Sequence, residues 1–218
     1  IRRFPVPLVL WANFFQAMHR DIERPRFSTY EEFLEYAEGA TVAPTTIYLF
    51  LVASRSAGDS GSYQLPEGFD LFGCGRELGL FAYLAHIMRD LAQDLATGKE
   101  GLLYFAADDM ERHGVTEAML FTDLERRQAS PQIRALIAEL GARARASLAA
   151  GRVLMQPLAG VLTADCAFIL DLIVTLYERV VEKLAACSHD PLAGNHLLSS
   201  ADKQQIVFEL KKRRRRPA

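Results

Sequence analysis

The chain has 218 residues, of which half are hydrophobic and 24% are charged, so it is a globular protein and not a disordered one. This length suits one large domain or two small ones and can bury a sizeable core. The formal net charge of -2 gives no reason to expect nucleic acid as a partner.

The three cysteines, Cys74, Cys166 and Cys187, are odd in number and far apart in sequence. They have neither a metal-ligand spacing nor a disulfide pattern, which favours packing roles in a reducing cytoplasm. No apolar run is long enough to span a membrane, and no signal peptide is visible. The chain starts at Ile1 and not at methionine, so we expect a fragment or a processed product.

Segments with helical periodicity follow one another from the start of the chain. The first predicted helix covers residues 8–23, with an apolar face that consists of Leu8, Trp11, Phe14, Phe15, Met18 and Ile22. A second helix begins after the capping pair Ser28-Thr29. It runs into residues 39–44, where small residues predict a kink and the close approach of a neighbouring helix or ligand.

Residues 54–68 are rich in glycine and serine and predict a loop, and no window alternates at period two. Further helices are predicted at 70–96, 108–114, 130–150, 158–187 and 201–210. We therefore predict an all-α single domain over residues 1–210, with long helices that enclose an apolar cavity. The basic tail at 211–218 is expected to be disordered, and it could contact anionic lipid at a membrane surface.

The helix predicted at 70–96 carries a polar strip on an otherwise apolar surface. Tyr83, His86, Asp90 and Asp94 follow steps of three and four residues, so they lie along one face. The apolar positions of the same helix are Leu80, Leu84, Ile87, Met88, Leu91 and Leu95. Paired carboxylates repel one another unless a cation lies between them, and oxygen ligands of this kind suit Mg2+ shared with a phosphate. The alternative is a solvated helix face on which Arg89 neutralises Asp90.

Three stretches resemble motifs of the squalene/phytoene synthases, which join two prenyl diphosphates head to head. Residues 36–44 are similar to the family's tyrosine followed by a small-residue Val-Ala-Gly segment. Residues 86–94, His-Ile-Met-Arg-Asp-Leu-Ala-Gln-Asp, resemble the family's second aspartate-rich motif. Residues 98–115 resemble the run that follows this motif. The resemblance covers most of the chain and implies the isoprenoid-synthase-like helical bundle.

The resemblance also implies roles for single residues. Asp90 and Asp94 would hold Mg2+ that bridges to a diphosphate, and Arg89 would contact the diphosphate or pair with Asp21. Tyr36 and Tyr177 match cavity tyrosines that help the diphosphate to leave. For each tyrosine the alternative is a core residue with a satisfied hydroxyl.

The resemblance places Val42 and Ala43 where the prenyl chain passes the kinked helix. Lys99 would neutralise released pyrophosphate, or it is a solvated loop lysine. The remaining substrate-side positions that the resemblance implies are Asp21, Tyr83 and His86.

The implied reaction is Mg2+-dependent ionisation of farnesyl or geranylgeranyl diphosphate and coupling through a cyclopropyl intermediate. A reductive second step with NADPH stays open, as does peripheral contact with a membrane that would receive a lipophilic product. The family's first aspartate-rich motif has no counterpart here, so we expect it to precede this chain. The alternative is a non-catalytic family member that acts as an assembly or lipid-binding factor. It is motivated by Tyr83 and His86, where the family usually has glutamine and asparagine, and by about three extra residues between Gly98 and Tyr104.

Overall fold

The computed structural model describes residues 5–23, 26–56, 63–97 and 102–214. Within these ranges the fold is all-α, as predicted. The helices are α1 Leu8–Ile22, α2 Tyr30–Ala37, α3 Ala43–Ala53, α4 Leu71–Leu95, α5 Ala107–Arg112, α6 Glu117–Arg126, α7 Pro131–Leu154, α8 Ala164–Ala186 and α9 Ser200–Arg214. A π-helical turn, Glu38–Val42, joins α2 to α3, and a short 3-10 turn, Gln156–Leu158, follows α7. Two short strands, β1 Arg55–Ser56 and β2 Tyr63–Gln64, pair antiparallel.

Several helices begin where a side chain satisfies a free backbone N–H group. The Thr29 hydroxyl accepts from the Glu32 amide at 3.2 Å, and the Asp70 carboxylate accepts from the Gly73 amide at 2.9 Å. These caps replace the hydrogen bonds that the first turn of a helix cannot make internally. The predicted starts of α2 and α4 agree with them.

Helix α4 lies in the middle of the fold, packed against α3, α7 and α8. All six of its predicted apolar positions are buried, and Phe81 beside them is also buried. Each large side chain that is fully buried contributes about 1.5–3 kcal/mol to folding. The polar strip of α4 is therefore held on a rigid, buried element.

The predicted kink is present as the π-helical turn. A Cβ atom at Gly39 would collide with the Asn13 carbonyl oxygen and lie 2.7 Å from the Ala17 Cβ, so only glycine lets α1 approach this closely. On the other side, a Cβ atom at Gly79 would lie 3.0 Å from the Val42 Cα. The turn is thus clamped between α1 and α4.

The apolar face predicted for α1 is partly wrong. Leu8, Phe15 and Ile22 are 71%, 64% and 79% exposed. The contact of Gly39 with Ala17 fixes the rotation of α1, because the side that carries Ala17 must face the π-helical turn. Residues seven apart share a face, so the same rotation turns all three apolar side chains outward.

The start predicted for helix α8, near residue 158, is wrong, because the helix begins at Ala164. Gly160 has a φ of +75°, and the Thr163 hydroxyl accepts from the Cys166 amide at 3.2 Å. The chain therefore turns before it enters the helix. Helix α6 was not predicted, although Thr116 caps it in the same manner, with its hydroxyl 3.2 Å from the Met119 amide.

The last helix continues to Arg214, four residues into the segment that was predicted to be disordered. The Arg214 guanidinium lies 5.2 Å from the centre of the Phe168 ring on α8, and basic side chains at a helix C-terminus are favoured by the helix dipole. Residues 215–218 of the predicted tail lie outside the described residues. No helix in the described part of the chain combines the length and apolar character needed to cross a bilayer.

Candidate active site

The strip predicted on α4 lies partly buried between the core and solvent. Arg89 donates two hydrogen bonds to the Asp90 carboxylate, at 2.7 Å from Nε and 2.6 Å from Nη2. The same Nη2 atom donates to His86 Nδ1 at 2.8 Å. A forked pair of this kind holds both side chains in one orientation. Arg89 therefore pairs with Asp90, as the alternative of a solvated helix face expected, and not with Asp21, the partner that the resemblance implied.

The two carboxylates of the strip have pKa values that are shifted in opposite directions. Burial raises the pKa of Asp90, but the hydrogen bonds and the charge of Arg89 outweigh this and leave it below its usual value. Burial and the neighbouring Asp90 charge raise the pKa of Asp94 to about 6. Asp94 is thus the carboxylate of the strip whose ionised form a bound cation would stabilise most.

His86 remains neutral although it lies beside an acid. Its Nε2 atom is 3.4 Å from Asp90 Oδ2, yet burial lowers the pKa of His86 more than this carboxylate raises it. A neutral ring is consistent with Nδ1 accepting from Arg89. Its ring also stacks on Tyr83, with 6.3 Å between the ring centres.

Three tyrosines surround Asp21 at the end of α1, and we call them the tyrosine cluster: Tyr36, Tyr83 and Tyr104. The Tyr36 hydroxyl donates to Asp21 Oδ1 at 2.5 Å, and the Tyr104 hydroxyl lies 3.5 Å from the same oxygen. The three ring centres are 6.1 to 6.2 Å apart. Tyr83 connects this cluster to the α4 strip.

The hydroxyls of the tyrosine cluster stay protonated. Burial raises the pKa of all three, to about 12 for Tyr104, and the Asp21 carboxylate raises each of them further. They are therefore hydrogen-bond donors and not bases at neutral pH. The predicted residues Asp21, Tyr36 and Tyr83 are brought together here.

Two neighbouring cavities adjoin α4 and α8. The first, which we call the Arg89 cavity, has a volume of about 690 Å³ and is lined by Arg89, Ile173, Leu176, Tyr177, Val180, Leu197, Leu198 and Lys203. The second, which we call the Tyr48 cavity, has a volume of about 300 Å³ and apolar walls that include Tyr48, Leu49, Leu78, Phe81, Leu170 and Val174. Ile173 and Tyr177 line both. Two adjoining pockets, and not one enclosed chamber, therefore stand where the apolar cavity was predicted among the described residues.

Tyr177 links the cavities to the α4 strip. The Arg89 guanidinium carbon lies 5.9 Å from the centre of its ring, and the edge of its ring meets Phe81 at 6.5 Å between centres. Val42 and Ala43 are buried in the packing of the π-helical turn and do not line either cavity. Their neighbours Ala40, Thr41, Pro44 and Thr45 do line the Tyr48 cavity.

The described residues contain no group of three or more His, Cys, Asp or Glu side chains placed to hold a metal ion. Asp90 and Asp94 nonetheless fit Mg2+, which often takes one or two carboxylates from the protein and its other ligands from water and substrate phosphate. The raised pKa of Asp94 supports this fit, because a cation would relieve the repulsion from Asp90. Lys99, the predicted basic residue, lies outside the described residues.

Sequence reasoning did not assign three residues that the fold brings to the site. Tyr104 belongs to a motif that the resemblance covers, but its contact with Asp21 spans 83 residues. Lys203 and His196 follow the last long helix, and no local pattern marks them. His196 Nε2 donates to the Arg89 carbonyl oxygen at 2.9 Å.

Comparison with known proteins gives matches to one family. The squalene/phytoene synthase family model matches residues 1–204. The chain is 24% identical over 123 residues to phytoene synthase 2, chloroplastic, from Zea mays, and 23% identical over 124 residues to phytoene synthase, chloroplastic, from Narcissus pseudonarcissus. Each match covers 56% of this chain but only 28% and 27% of those relatives, so the chain spans about a quarter of their length.

Solved structures share the fold. A dehydrosqualene synthase in complex with ligand aligns with a TM-score of 0.71 and 20% identity, over 96% of this chain and 66% of that one. The squalene synthase HpnC from Alicyclobacillus acidocaldarius aligns with a TM-score of 0.65 and 20% identity, over 85% and 62%. Because the family model matches residues 1–204 of the 218 in this chain, the chain belongs to the squalene/phytoene synthase family.

Proposed function

We propose that the full-length protein is a Mg2+-dependent prenyl transferase that joins two molecules of farnesyl or geranylgeranyl diphosphate head to head. The observation that carries this proposal is the position of Arg89. It holds Asp90 through a forked pair, and it also lines a cavity of about 690 Å³ with otherwise mostly apolar walls. An anionic head group beside a long apolar tail matches that combination of surfaces.

Ionisation of an allylic diphosphate breaks a carbon–oxygen bond, and the electron pair leaves with pyrophosphate. Mg2+ held by Asp90 and Asp94 would stabilise the negative charge of the leaving group. Arg89 keeps its own charge, because its hydrogen bonds to Asp90 raise its pKa. This fixed positive group contributes to catalysis where negative charge develops.

The apolar walls would protect the carbocation that remains. Leu176, Val180 and Leu197 in the Arg89 cavity and Phe81 in the Tyr48 cavity offer no nucleophile. Exclusion of water prevents capture of the cation as an alcohol. The cation then bonds to the double bond of the second prenyl diphosphate, and loss of one proton gives a cyclopropyl intermediate.

The tyrosine cluster would act on the departing pyrophosphate through a hydroxyl group that donates a hydrogen bond. Tyr36, Tyr83 and Tyr104 keep their protons, so they cannot remove a proton at neutral pH. The Tyr104 hydroxyl, at 3.5 Å from Asp21 Oδ1, would turn to donate a hydrogen bond to a departing pyrophosphate. Asp21 orients Tyr36 by accepting its hydroxyl hydrogen. Tyr177 would shape the passage between the two cavities.

The test uses full-length protein with Mg2+ and either farnesyl or geranylgeranyl diphosphate, and mass spectrometry of the extracted products. We expect a head-to-head product of twice the substrate's carbon number. Adding NADPH distinguishes a cyclopropyl diphosphate or dehydrogenated product from a reduced hydrocarbon. Absence of turnover with both substrates would overturn the proposal and would favour the non-catalytic alternative.

We also propose that the protein contacts membranes at the basic end of α9. Lys211, Lys212, Arg213 and Arg214 are exposed there, close to the exposed ring of Phe208. Each basic residue near an anionic surface contributes about 1 kcal/mol. Sedimentation with vesicles that contain phosphatidylserine, compared with neutral vesicles, tests this, and equal binding to both would contradict it.

A further inference from the structure

The segment between α8 and α9 is attached to the rest of the fold at two buried residues. Asp190 is 4% exposed and accepts hydrogen bonds from the Ala129 amide at 3.1 Å and from Arg134 at 2.8 Å. His196 is 1% exposed and donates from Nε2 to the Arg89 carbonyl oxygen at 2.9 Å. The first contact reaches α7, and the second reaches the middle of the α4 strip.

The environment of the His196 ring fixes its tautomer. Because Nε2 donates to a carbonyl, it carries the hydrogen, and Nδ1 is left as an acceptor. Nδ1 is buried and has no hydrogen-bond partner among the described residues. Burial also lowers the pKa of His196, so the ring is neutral near pH 7. A buried nitrogen without a partner destabilises a fold, so packing alone does not account for a histidine here.

The residues that follow His196 form a wall of the Arg89 cavity. Leu197, Leu198 and Lys203 line this cavity together with Arg89 and Tyr177. Lys183 donates to the Leu197 carbonyl oxygen at 2.9 Å, which ties the same wall to α8. His196 is thus the contact, in the described structure, that ties this wall to the Arg89 backbone.

We propose that His196 is a positioning residue that fixes the α8–α9 wall of the cavity relative to Arg89. The hydrogen bond acts on the Arg89 backbone, while the Arg89 side chain holds Asp90 and lines the cavity. A change in this contact alters the distance between the basic side chain and the apolar wall. The test by KM rests on the proposed function, because it requires turnover of a prenyl diphosphate, whereas the test by hydrogen exchange does not.

The test compares two substitutions in the full-length protein. His196→Gln can place an amide donor near the position of Nε2, whereas His196→Leu fills similar space without a donor. We expect His196→Leu to raise KM for the prenyl diphosphate about tenfold, with a change in kcat of less than about threefold. His196→Gln should restore KM to within about threefold of the wild-type value. Equal KM values for wild type and His196→Leu would overturn the proposal, as would equal losses in both variants.

Hydrogen exchange provides a readout that needs no substrate. Loss of the His196 contact should accelerate amide exchange in residues 86–94 of α4 in His196→Leu and much less in His196→Gln. Lys183→Met is the matched control, because it releases the same wall from α8 and leaves the α4 contact in place. It should not change exchange in residues 86–94.

The two readouts separate the two proposals. Unchanged exchange in His196→Leu overturns the positioning role, whatever the turnover. If the wild-type protein shows no turnover and His196→Leu exchanges faster than wild type, the positioning role is supported and the proposed prenyl transfer is not.

Discussion

The hydroxyl groups of Tyr36 and Tyr48 differ in whether they have a hydrogen-bond partner. The Tyr36 hydroxyl donates to the Asp21 carboxylate at 2.5 Å. The Tyr48 hydroxyl is buried and has no hydrogen-bond partner among the described residues. A hydrogen bond to a charged group stabilises a fold by about 1.5–3 kcal/mol, whereas an unpaired buried polar group costs about 1–3 kcal/mol.

Removal of each hydroxyl should therefore have opposite consequences. Tyr36→Phe should lower the free energy of unfolding by about 1.5–3 kcal/mol, because Asp21 loses its closest donor. Tyr48→Phe is the matched control and should be neutral or stabilising by up to about 1 kcal/mol. Urea denaturation of both variants measures the difference. Similar losses in the two variants would contradict the assigned contacts.

Part of the site could be predicted from sequence at the scale of residues. The spacing of Tyr83, His86, Asp90 and Asp94 placed them on one helix face, because that relation is local. The contact of Tyr104 with Asp21 and that of His196 with Arg89 join residues 83 and 107 positions apart. Such contacts depend on how helices pack, and a single sequence carries no local signal for them.

At the scale of elements, Gly79 controls how closely α4 approaches the π-helical turn. A Cβ atom there would lie 3.0 Å from the Val42 Cα, which is a backbone atom and cannot rotate away. Gly141 on α7 is different, since its Cβ would meet only the Arg145 Nη1 at 3.5 Å. The first glycine is required by packing, and the second is not.

Alanine at these two glycines should give opposite changes in stability. Gly79→Ala should destabilise the protein by about 1–3 kcal/mol through overpacking. Gly141→Ala should stabilise it by up to about 1 kcal/mol, because alanine is the better helix former. Thermal or urea unfolding distinguishes the two. A stable Gly79→Ala variant would show that the turn and α4 do not pack as described.

A buried ionic cluster joins α5 to α7. Asp109, 2% exposed, accepts from Arg112 and from Arg143, and Arg143 also donates to Glu139 at 2.5 Å. Hydrogen bonds from His113 and Arg112 lower the pKa of Glu139 to about 2. Because the folded-state pKa lies below the usual value of 4.5, ionised Glu139 stabilises the fold above that pH.

This stabilisation should disappear in acid. Glu139→Gln should lower the free energy of unfolding by about 0.5–1 kcal/mol near neutral pH, because solvent screens the ion pairs of this partly exposed carboxylate. The deficit should shrink as the pH falls from about 4.5 toward about 2, because the wild-type carboxylate becomes protonated. Urea denaturation at about pH 7 and about pH 3 measures it. A deficit that is independent of pH would show that Glu139 acts through packing and not through charge.

Local signals predicted the helices better than the way they pack. The capping residue Thr29 and the small residues around Gly39 marked the start of α2 and the kink that follows it. The periodicity of α1 predicted one apolar face. Leu8, Phe15 and Ile22 of that face point outward, whereas Trp11, Phe14 and Met18 pack against the core. The rotation of α1 is decided by the contact between Ala17 on α1 and Gly39 in the π-helical turn, which a pattern within α1 alone does not reveal.

At the scale of the whole molecule, α4 organises the site because it carries the polar strip and is contacted by Tyr36, Tyr104, Tyr177 and His196. Its N-terminal half packs against the π-helical turn, and its C-terminal half carries Arg89, Asp90 and Asp94. Tyr36 approaches from α2 and Tyr104 from the segment before α5, with Asp21 of α1 between them, and the cavities lie along α8. Charge for a diphosphate and apolar volume for a prenyl chain therefore meet at one helix, which is the basis of the proposed reaction.

The most direct test of this account is the release of pyrophosphate from farnesyl diphosphate by full-length protein with Mg2+. The wild-type protein should release it, and Asp94→Asn should reduce the rate by at least about 100-fold. Glu125→Gln, at an exposed carboxylate of α6, is the control and should stay within about twofold of wild type. If Asp94→Asn releases pyrophosphate at the wild-type rate, the assignment of the α4 carboxylates to the reaction is wrong.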